Sequence, residues 1–260
     1  MGLKIPRGLN RRSVQRSSLD ALPSTAKKLR QLIGQALPPI CILCDQRHDE
    51  FTLVCQQCAN GIQTNDNPCP GCAEPGVGAV HCGRCQTSPR SFDRATAPLL
   101  FEGPVRELVH RWKFNNAQEL SALLANLLAS HLPPPNPKAV YVPIPLHWRR
   151  RWFRGFDQVW QLTNALAQQQ TRTYGDAPAV LPLLRRVRHT PHQSGAKLSN
   201  RESNVKNAFT LSGSPPKTAE IILVDDVLTT GATANAAARL LKASGVAQVE
   251  LLCLGRAARH

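Results

Sequence analysis

One stretch of this chain, residues 221–233, constrains the fold more than any other. It begins with four aliphatic residues, which is typical of a short buried parallel strand. Two carboxylates, Asp225 and Asp226 (the acid pair), come next, and the sequence Thr-Thr-Gly-Ala-Thr at 229–233 (the TTGAT loop) then runs into an alanine-rich segment of helical character. This order predicts one strand–loop–helix unit of an α/β sheet.

The same stretch predicts a site for a phosphorylated sugar. A helix N-terminus presents unpaired N–H groups and the positive end of a dipole, so it suits an anion. Gly231 lets the backbone approach that anion closely, and the threonine hydroxyls can add donors. Carboxylates beside such a site make sense if the ligand also offers a vicinal diol or a metal. A ribose 5-phosphate has the phosphate and the diol, and a pyrophosphate on its C1 would bring Mg²⁺.

Two alternatives compete with this interpretation. The stretch is also compatible with an ordinary strand-to-helix turn that a threonine caps. A Walker B strand would end in carboxylates too, but no GxxxxGK[ST] motif accompanies it in this chain. The combination of strand, acid pair and TTGAT loop favours the ribose-phosphate site.

Eight of the nine cysteines form four CxxC pairs between residues 41 and 85. Two CxxC turns complete a tetrahedral site of four sulfurs, so eight thiolates predict two structural zinc ions, and the segment has too few apolar residues to fold without them. The alternative is a disulfide framework, which the missing secretory signal disfavours. The predicted ligands are Cys41, Cys44, Cys55, Cys58, Cys69, Cys72, Cys82 and Cys85.

The pairing of the cysteines is open at this point. The simplest arrangement joins the first two CxxC pairs in one site and the last two in the other, and an interleaved arrangement satisfies the same chemistry. His48 and His81 are spare potential ligands that two complete sets of four cysteines do not need.

The formal net charge of +15 is concentrated in two segments. Residues 1–30 contain eight basic residues and one acid, and residues 147–206 contain eleven and three. These segments are either solvated surface or, for the second, a surface for nucleic acid or a polyphosphate ligand, since aromatic residues interleave with its arginines. The predicted flexible-loop or nucleic-acid contacts are Arg149, Arg150, Arg151, Arg154, Arg188, Lys197 and Arg201.

Three regions are predicted along the chain: a basic disordered tail at 1–38, a double zinc ribbon at 39–88 and an α/β domain at 95–260. No apolar run is long enough to span a membrane, and no secretory signal is apparent, so we expect a cytoplasmic protein. Apolar periodicity predicts helices at 103–114 and 120–128, strands at 96–101, 139–144 and 249–254, and a hairpin from 181–185 and 208–211.

Taken together, these motifs resemble the ComF family of competence and GntX-like proteins, in which a double zinc ribbon precedes a type I phosphoribosyltransferase-like domain. The resemblance covers residue 41 to the C-terminus. Two positions depart from the family pattern, because Asp157 stands where Asn is usual and Asn116 replaces a common Gly. Besides the cysteine pairs and the acid pair with its loop, the resemblance rests on Leu108-Val109, Trp112-Lys113-Phe114, residues 142–146, residues 154–158, Arg201 and residues 204–209.

The resemblance implies an α/β fold with a parallel sheet flanked by helices, and it implies roles for the site residues. In type I phosphoribosyltransferases the acid pair holds the ribose hydroxyls of 5-phosphoribosyl 1-pyrophosphate (PRPP), and the TTGxT loop holds its 5′-phosphate. By resemblance the catalytic positions are Asp225 and Asp226. The implied phosphate contacts are Thr229, Thr230, Gly231, Ala232 and Thr233, and the implied pyrophosphate loop is Pro143, Ile144, Pro145 and Leu146.

The family is linked to the uptake and use of external DNA by bacteria. The resemblance therefore implies a PRPP-binding protein of natural competence, with Zn²⁺ in the ribbon and Mg²⁺ accompanying PRPP. Three hypotheses follow: a Mg²⁺-dependent phosphoribosyltransferase, a single-stranded DNA-binding factor that works with competence machinery proteins, and a PRPP sensor on a catalytically silent fold. Analogy extends to a homodimer whose subunits exchange loops, and the acceptor substrate is open.

Overall fold

The computed structural model describes residues 38–49, 52–78, 80–114, 119–146, 156–187, 208–216 and 220–258. The chain divides into two compact units, Met1–Gly61 and Ile62–His260. Among the described residues, no helix has the length and apolar character needed to cross a membrane.

Eight strands are described, all of them in the larger unit. They are β1 (Arg94–Thr96), β2 (Leu99–Leu100), β3 (Val140–Pro143), β4 (Ala179–Val180), β5 (Leu184–Arg186), β6 (Phe209–Leu211), β7 (Ile221–Leu228) and β8 (Val249–Arg256). The main sheet has the order β1-β8-β7-β3-β4, with β2 also paired to β8, and every pairing in it is parallel. Strands β5 and β6 form a separate antiparallel hairpin.

Six helices are described, and the four longer ones belong to the larger unit. They are α1 (Gln56–Asn60), α2 (Gly83–Thr87), α3 (Gly103–Phe114), α4 (Leu120–Ala129), α5 (Gln158–Tyr174) and α6 (Ala232–Ala243). The predicted stripe of α3 is confirmed, because Val105, Leu108, Val109 and Trp112 are all buried. The predicted α/β class, a parallel sheet flanked by helices, is confirmed.

One buried cluster of the larger unit lies between the central strands and α6. Leu223 of β7 and Leu251 of β8 pack in one cluster with Ala237 and Leu241 of α6. Ala73, from the cysteine-rich segment before the sheet, is fully buried in this same cluster. The cysteine-rich segment therefore contributes directly to the sheet core.

Several elements differ from their predicted bounds. Strand β7 extends to Leu228 rather than ending before the acid pair, because it pairs with β8 as far as Leu228 opposite Arg256. The strand predicted at 96–101 is two short strands separated at Pro98, and β1 lies at an edge of the sheet as predicted. Strand β4 was not predicted. Residues 1–37 of the predicted tail and most of the loop between the hairpin strands (188–207) lie outside the described residues.

Candidate functional site

The eight clustered cysteines form two groups of four. Within each group the sulfur atoms lie within 4.8 Å of one another, and the groups follow the order of the chain. The simplest of the predicted pairings is therefore confirmed. In the described part of the chain, neither group includes His48 or His81. The first tetrad is Cys41, Cys44, Cys55 and Cys58, and the second tetrad is Cys69, Cys72, Cys82 and Cys85.

Both tetrads have the chemistry of a structural zinc site. The backbone N–H groups of Leu43 and Cys55 each donate to Cys41 Sγ at 3.4 Å, and that of Cys82 donates to Cys69 Sγ at 3.2 Å. Burial raises the pKa of the Cys41 thiol, but backbone hydrogen bonds from Cys55, Cys44 and Leu43 outweigh it and lower the pKa to about 6. Burial raises the pKa of Cys72 to about 11, so this thiol must lose its proton when metal binds. Four cysteine sulfurs this close together fit the tetrahedral coordination of a structural Zn²⁺ ion.

The acid pair lies in the second half of β7. The Asp226 N–H donates to Asp225 Oδ1 at 2.9 Å, and the Val227 N–H donates to Asp226 Oδ1 at 2.6 Å. Burial and then the neighbouring charge of Asp226 raise the pKa of Asp225 to about 7. At pH 7 the Asp225 carboxyl group is therefore partly protonated.

Lys113 is a site residue whose role the sequence analysis did not identify. It stands at the end of α3, and its Nζ lies 2.5 Å from Asp226 Oδ2, with both side chains mostly buried. Gln158 at the start of α5 donates to the Lys113 carbonyl oxygen at 3.4 Å. Lys113 falls in a motif that carries the family resemblance, but only the fold shows that it reaches the acid pair.

A second basic residue, Arg186 of β5, also acts on the acid pair. Its charge opposes the rise in the pKa of Asp225. Its guanidinium carbon lies 5.6 Å from the centre of the Phe209 ring in β6, which is within the range of a cation–π contact. The hairpin thus holds a positive charge close to the carboxylates.

The TTGAT loop joins β7 to α6. Gly231 has φ of +76°, a left-handed conformation that favours glycine, and a Cβ there would lie 3.4 Å from Leu228 Cδ1 and 3.7 Å from Phe92 Cζ. The Ala232 N–H donates to Thr230 Oγ1 at 3.3 Å. Since α6 begins at Ala232, Ala232 and Thr233 form its first turn, and the loop ends at a helix N-terminus as the sequence predicts.

The segment 143–146 begins beside the acid pair. Strand β3 pairs with β7 so that Pro143 lies opposite Val224, and the Ile144 N–H donates to the Val224 carbonyl oxygen at 2.9 Å. Pro143 and Ile144 are buried, whereas Pro145 and Leu146 are half-buried. The carboxyl ends of adjacent parallel strands thus bring 143–146, the acid pair and the TTGAT loop to one edge of the sheet.

The seven basic residues predicted to contact nucleic acid lie in two segments of the chain. Positions 147–155 and 188–207, which contain all seven of them, lie outside the described residues.

Asp157, the departure from the usual Asn, caps α5 by accepting a hydrogen bond from the Trp160 N–H at 3.1 Å. Asn and Asp cap helices about equally well, so the substitution is conservative here.

Two family models match the chain: the phosphoribosyl transferase domain at residues 121–259 and the double zinc ribbon domain at residues 32–86. The "DNA utilization protein YhgH" of Salmonella typhi is 35% identical over 214 residues, which cover 78% of this chain and 90% of that protein. The "Competence protein F" of Haemophilus influenzae is 34% identical over 188 residues, or 69% and 80% of the two chains. This chain belongs to the ComF family.

A more distant ComF-family relative has the same overall extent. The "Competence protein ComFC" of Bacillus subtilis is 28% identical over 230 residues, which cover 80% of this chain and 90% of that protein. The ribbon match at residues 32–86 spans all eight cysteines of the two tetrads, and the match and the tetrads together support structural zinc in this ComF-family chain. The transferase match spans the acid pair and the TTGAT loop.

Proposed function

We propose that this chain binds PRPP with Mg²⁺ and acts in the uptake or use of external DNA. One observation carries the proposal: the acid pair and the TTGAT loop occupy a single strand–loop–helix unit, with Gly231 left-handed at the helix N-terminus. Carboxylates and an anion-binding helix end are what a phosphorylated ribose requires together. The printed names of the relatives, "DNA utilization protein" and "Competence protein F", supply the DNA context.

Each proposed role follows from the chemistry of the group. The 5′-phosphate binds the N–H groups and hydroxyls of residues 229–233, and the ribose hydroxyls donate to Asp225 and Asp226. Residues 143–146 face the pyrophosphate. Mg²⁺ bound to the pyrophosphate would neutralise part of its negative charge. Lys113, paired to Asp226 in the free protein, adds a positive charge beside the same ligand.

Transfer and binding are separable in this proposal. In a transfer, the C1–oxygen bond of PRPP breaks, pyrophosphate leaves with the bonding electrons, and a nucleophilic acceptor forms the new bond at C1. The raised pKa of Asp225 would then let its carboxylate take up the proton that the acceptor loses. A silent sensor binds PRPP in the same place and releases no pyrophosphate. Assaying pyrophosphate with candidate bases, nucleosides and nucleic acids separates the two.

Calorimetry tests PRPP binding. Wild-type protein is titrated with PRPP in the presence and absence of Mg²⁺, beside the double variant Asp225→Asn/Asp226→Asn. We expect the double variant to bind at least about tenfold more weakly, because the neutral amides lose the charge-assisted bonds to the ribose hydroxyls. The matched control is Glu250→Gln, which removes a carboxylate paired with Arg94 at the start of β8.

The melting temperature distinguishes lost function from lost folding. Replacing Asp225, whose pKa is raised by burial and like charge, should not lower stability, whereas replacing Asp226 removes the partner of the mostly buried Lys113 and should lower the melting temperature. A double variant that is still folded at the assay temperature and fails to bind supports the proposal. Wild-type protein that takes up no PRPP, or a double variant that binds as tightly as wild type, contradicts it.

Single-stranded DNA binding is the second candidate function, and the excess of basic residues at 147–206 favours it. We expect the logarithm of the binding constant to fall linearly with the logarithm of salt concentration. Replacing Arg149, Arg150 and Arg151 by Ala should reduce that slope by about 2, whereas Arg94→Ala, an exposed arginine of β1, should not. Fluorescence anisotropy of a labelled oligonucleotide measures both, and an unchanged slope in the triple variant rejects this surface.

A further inference from the structure

The structure contains a buried arginine whose hydrogen bonds end on the TTGAT loop. Arg256 is the last residue of β8, and its side chain is 1% exposed. Its Nη1 donates to the carbonyl oxygens of Leu228 at 2.9 Å, Thr229 at 2.7 Å and Ala257 at 2.5 Å. Leu228 and Thr229 are the residues at which the strand passes into the loop, so this side chain fixes the peptide planes at the loop's entry.

The other end of the same guanidinium reaches the cysteine-rich segment. Arg256 Nη2 forms an ion pair with Glu74 Oε2. A buried positive charge is costly unless it is neutralised and fully hydrogen-bonded, so the Glu74 carboxylate is needed to keep Arg256 in place. The residues of this pair are separated by most of the larger unit's sequence, yet they meet in its interior.

Glu74 is held by the second tetrad. It lies two residues after Cys72, and its backbone N–H hydrogen bonds to the Cys72 sulfur. Its carbonyl oxygen accepts from the Cys69 N–H at 2.8 Å, which closes the turn that contains both ligands. Between Cys72 and Glu74, Ala73 adopts a left-handed φ of +53° and is completely buried. The position of the Glu74 carboxylate therefore depends on the shape of a metal-binding turn.

Further contacts bind this turn to the sheet beside the loop. Asn65 Nδ2 donates to the carbonyl oxygens of Ala73 and Ala97, each at 2.9 Å. The Ala95 N–H in β1 donates to the Pro70 carbonyl oxygen at 3.1 Å. The segment that follows the tetrad reaches the helix as well, because the Ser91 N–H donates to Asn235 Oδ1 in the first turn of α6 at 2.6 Å.

We propose that metal at the second tetrad positions the TTGAT loop through the Glu74–Arg256 ion pair, and so sets the affinity of the loop for a 5′-phosphate. The ligand in this inference rests on the proposed function, but the positioning of the loop does not. When the metal leaves, the turn loses its ligand bonds and Glu74 is released. Arg256 then loses its neutralising partner, and the carbonyl groups of Leu228 and Thr229 lose their anchor. Glu74 and Arg256 are positioning residues, since neither contacts the ligand.

The test variant is Glu74→Gln, which leaves the four cysteines and the shape of the side chain intact and removes the charge. The matched control is Glu250→Gln, which removes a half-buried carboxylate paired with Arg94 on the same sheet. Zinc content and melting temperature are measured first, so that only folded protein with two zinc ions per chain is compared. Hydrogen–deuterium exchange is then followed in residues 229–234 without ligand.

We expect the amides of 229–234 to exchange about tenfold faster in Glu74→Gln than in wild type, and no change in Glu250→Gln. Ribose 5-phosphate, titrated calorimetrically, should bind Glu74→Gln about tenfold more weakly. Unchanged exchange of the loop in folded Glu74→Gln with two zinc ions overturns the inference. If wild-type protein binds neither ribose 5-phosphate nor PRPP, the proposed function fails, and the exchange result still decides whether the Glu74–Arg256 ion pair holds the loop.

Discussion

The two cysteine tetrads have the same four-sulfur chemistry and different surroundings. The first lies in the unit Met1–Gly61, where the backbone closes around it through bonds such as Cys41 N–H to the Gln46 carbonyl oxygen at 2.9 Å. In the described part of that unit, Val54 is the only buried apolar residue besides the cysteines of the tetrad. The turn of the second tetrad leads directly into Ala73, which is buried in the sheet core, and Glu74, which forms an ion pair with Arg256.

The comparison teaches that one metal motif can serve two purposes in one chain. With so little apolar burial, the first tetrad has metal as its main source of folding free energy. The second adds to a core that already exists, and its metal-binding turn is connected to the entry of the candidate ligand loop. The predictions that follow test this difference, beginning with the largest effect.

Removing one zinc ligand from each tetrad should separate the two roles. Cys44→Ser and Cys72→Ser should each leave one zinc ion per chain, since a structural zinc site contributes on the order of 10 kcal/mol and tolerates no missing thiolate. In Cys44→Ser we expect faster hydrogen exchange in residues 41–58. In Cys72→Ser we expect it in residues 69–85 and 229–234. Equal effects of both variants on 229–234 would show that the second tetrad has no special connection to the loop.

The stability of the larger unit should respond to pH through Asp225. The pKa of this carboxyl is about 7 in the folded protein, above its value of about 4 in an unfolded chain, so the folded state retains a proton that the unfolded state loses. The contribution of Asp225 to the free energy of unfolding should therefore fall as pH rises from about 4 to about 7.

Urea denaturation at several pH values measures this dependence. Asp225→Asn should flatten the curve between pH 4 and 7, whereas Asp49→Asn, an exposed carboxylate in the smaller unit, should not. A wild-type stability that rises across this interval, with Asp225→Asn following the same curve, would contradict the account.

A single methyl group should disturb the second tetrad. A Cβ on Gly71 would lie 2.7 Å from His81 Cδ2 and 3.2 Å from Cys85 Sγ, so Gly71→Ala should destabilise the larger unit by about 1–3 kcal/mol through overpacking. A Cβ on Gly83 meets nothing within 4 Å, which makes Gly83→Ala the matched control within the same tetrad's segment. Thermal melting compares them. Similar melting temperatures for the two variants would mean that the turn is not tightly packed.

The smallest difference in stability should come from replacing one asparagine beside the second tetrad and one in the smaller unit. Asn65 is buried and donates to Ala73 and Ala97, so Asn65→Ala should cost about 1–2 kcal/mol by leaving carbonyl groups unpaired. Asn60 is exposed and accepts a bond from Gln56 in α1, so Asn60→Ala should change stability by less than about 0.5 kcal/mol. Chemical denaturation measures both, and a cost for Asn60→Ala as large as for Asn65→Ala would remove the distinction.

Local patterns predicted much of this architecture. The spacing of Val105, Leu108, Val109 and Trp112 specifies α3 because a helix repeats its buried face every three to four residues. The CxxC pairs specify the tetrads, and the run from strand to TTGAT loop specifies where a ligand edge forms. In each case the residues that form the feature are close in sequence.

The contacts that were not predicted join residues far apart in the chain. Lys113 meets Asp226, and Glu74 meets Arg256, only because α3 and the second tetrad pack against the ends of the central strands. No periodicity or motif marks one charged residue as the partner of another at such separations. The end of β7 was misplaced for a related reason, since pairing with β8 overrides the poor strand propensity of two aspartates.

Amide chemical shifts of Gly231, Ala232 and Thr233 during a titration with PRPP and Mg²⁺ test the central claim most directly. If the TTGAT loop binds the 5′-phosphate, these amides should show the largest shift changes in the protein, and the changes should saturate. Ribose 5-phosphate should reproduce them, and Asp225→Asn/Asp226→Asn should weaken them. Shifts that stay unchanged at these three amides in folded, zinc-loaded protein at saturating PRPP would contradict the assignment of this edge of the sheet as a PRPP site.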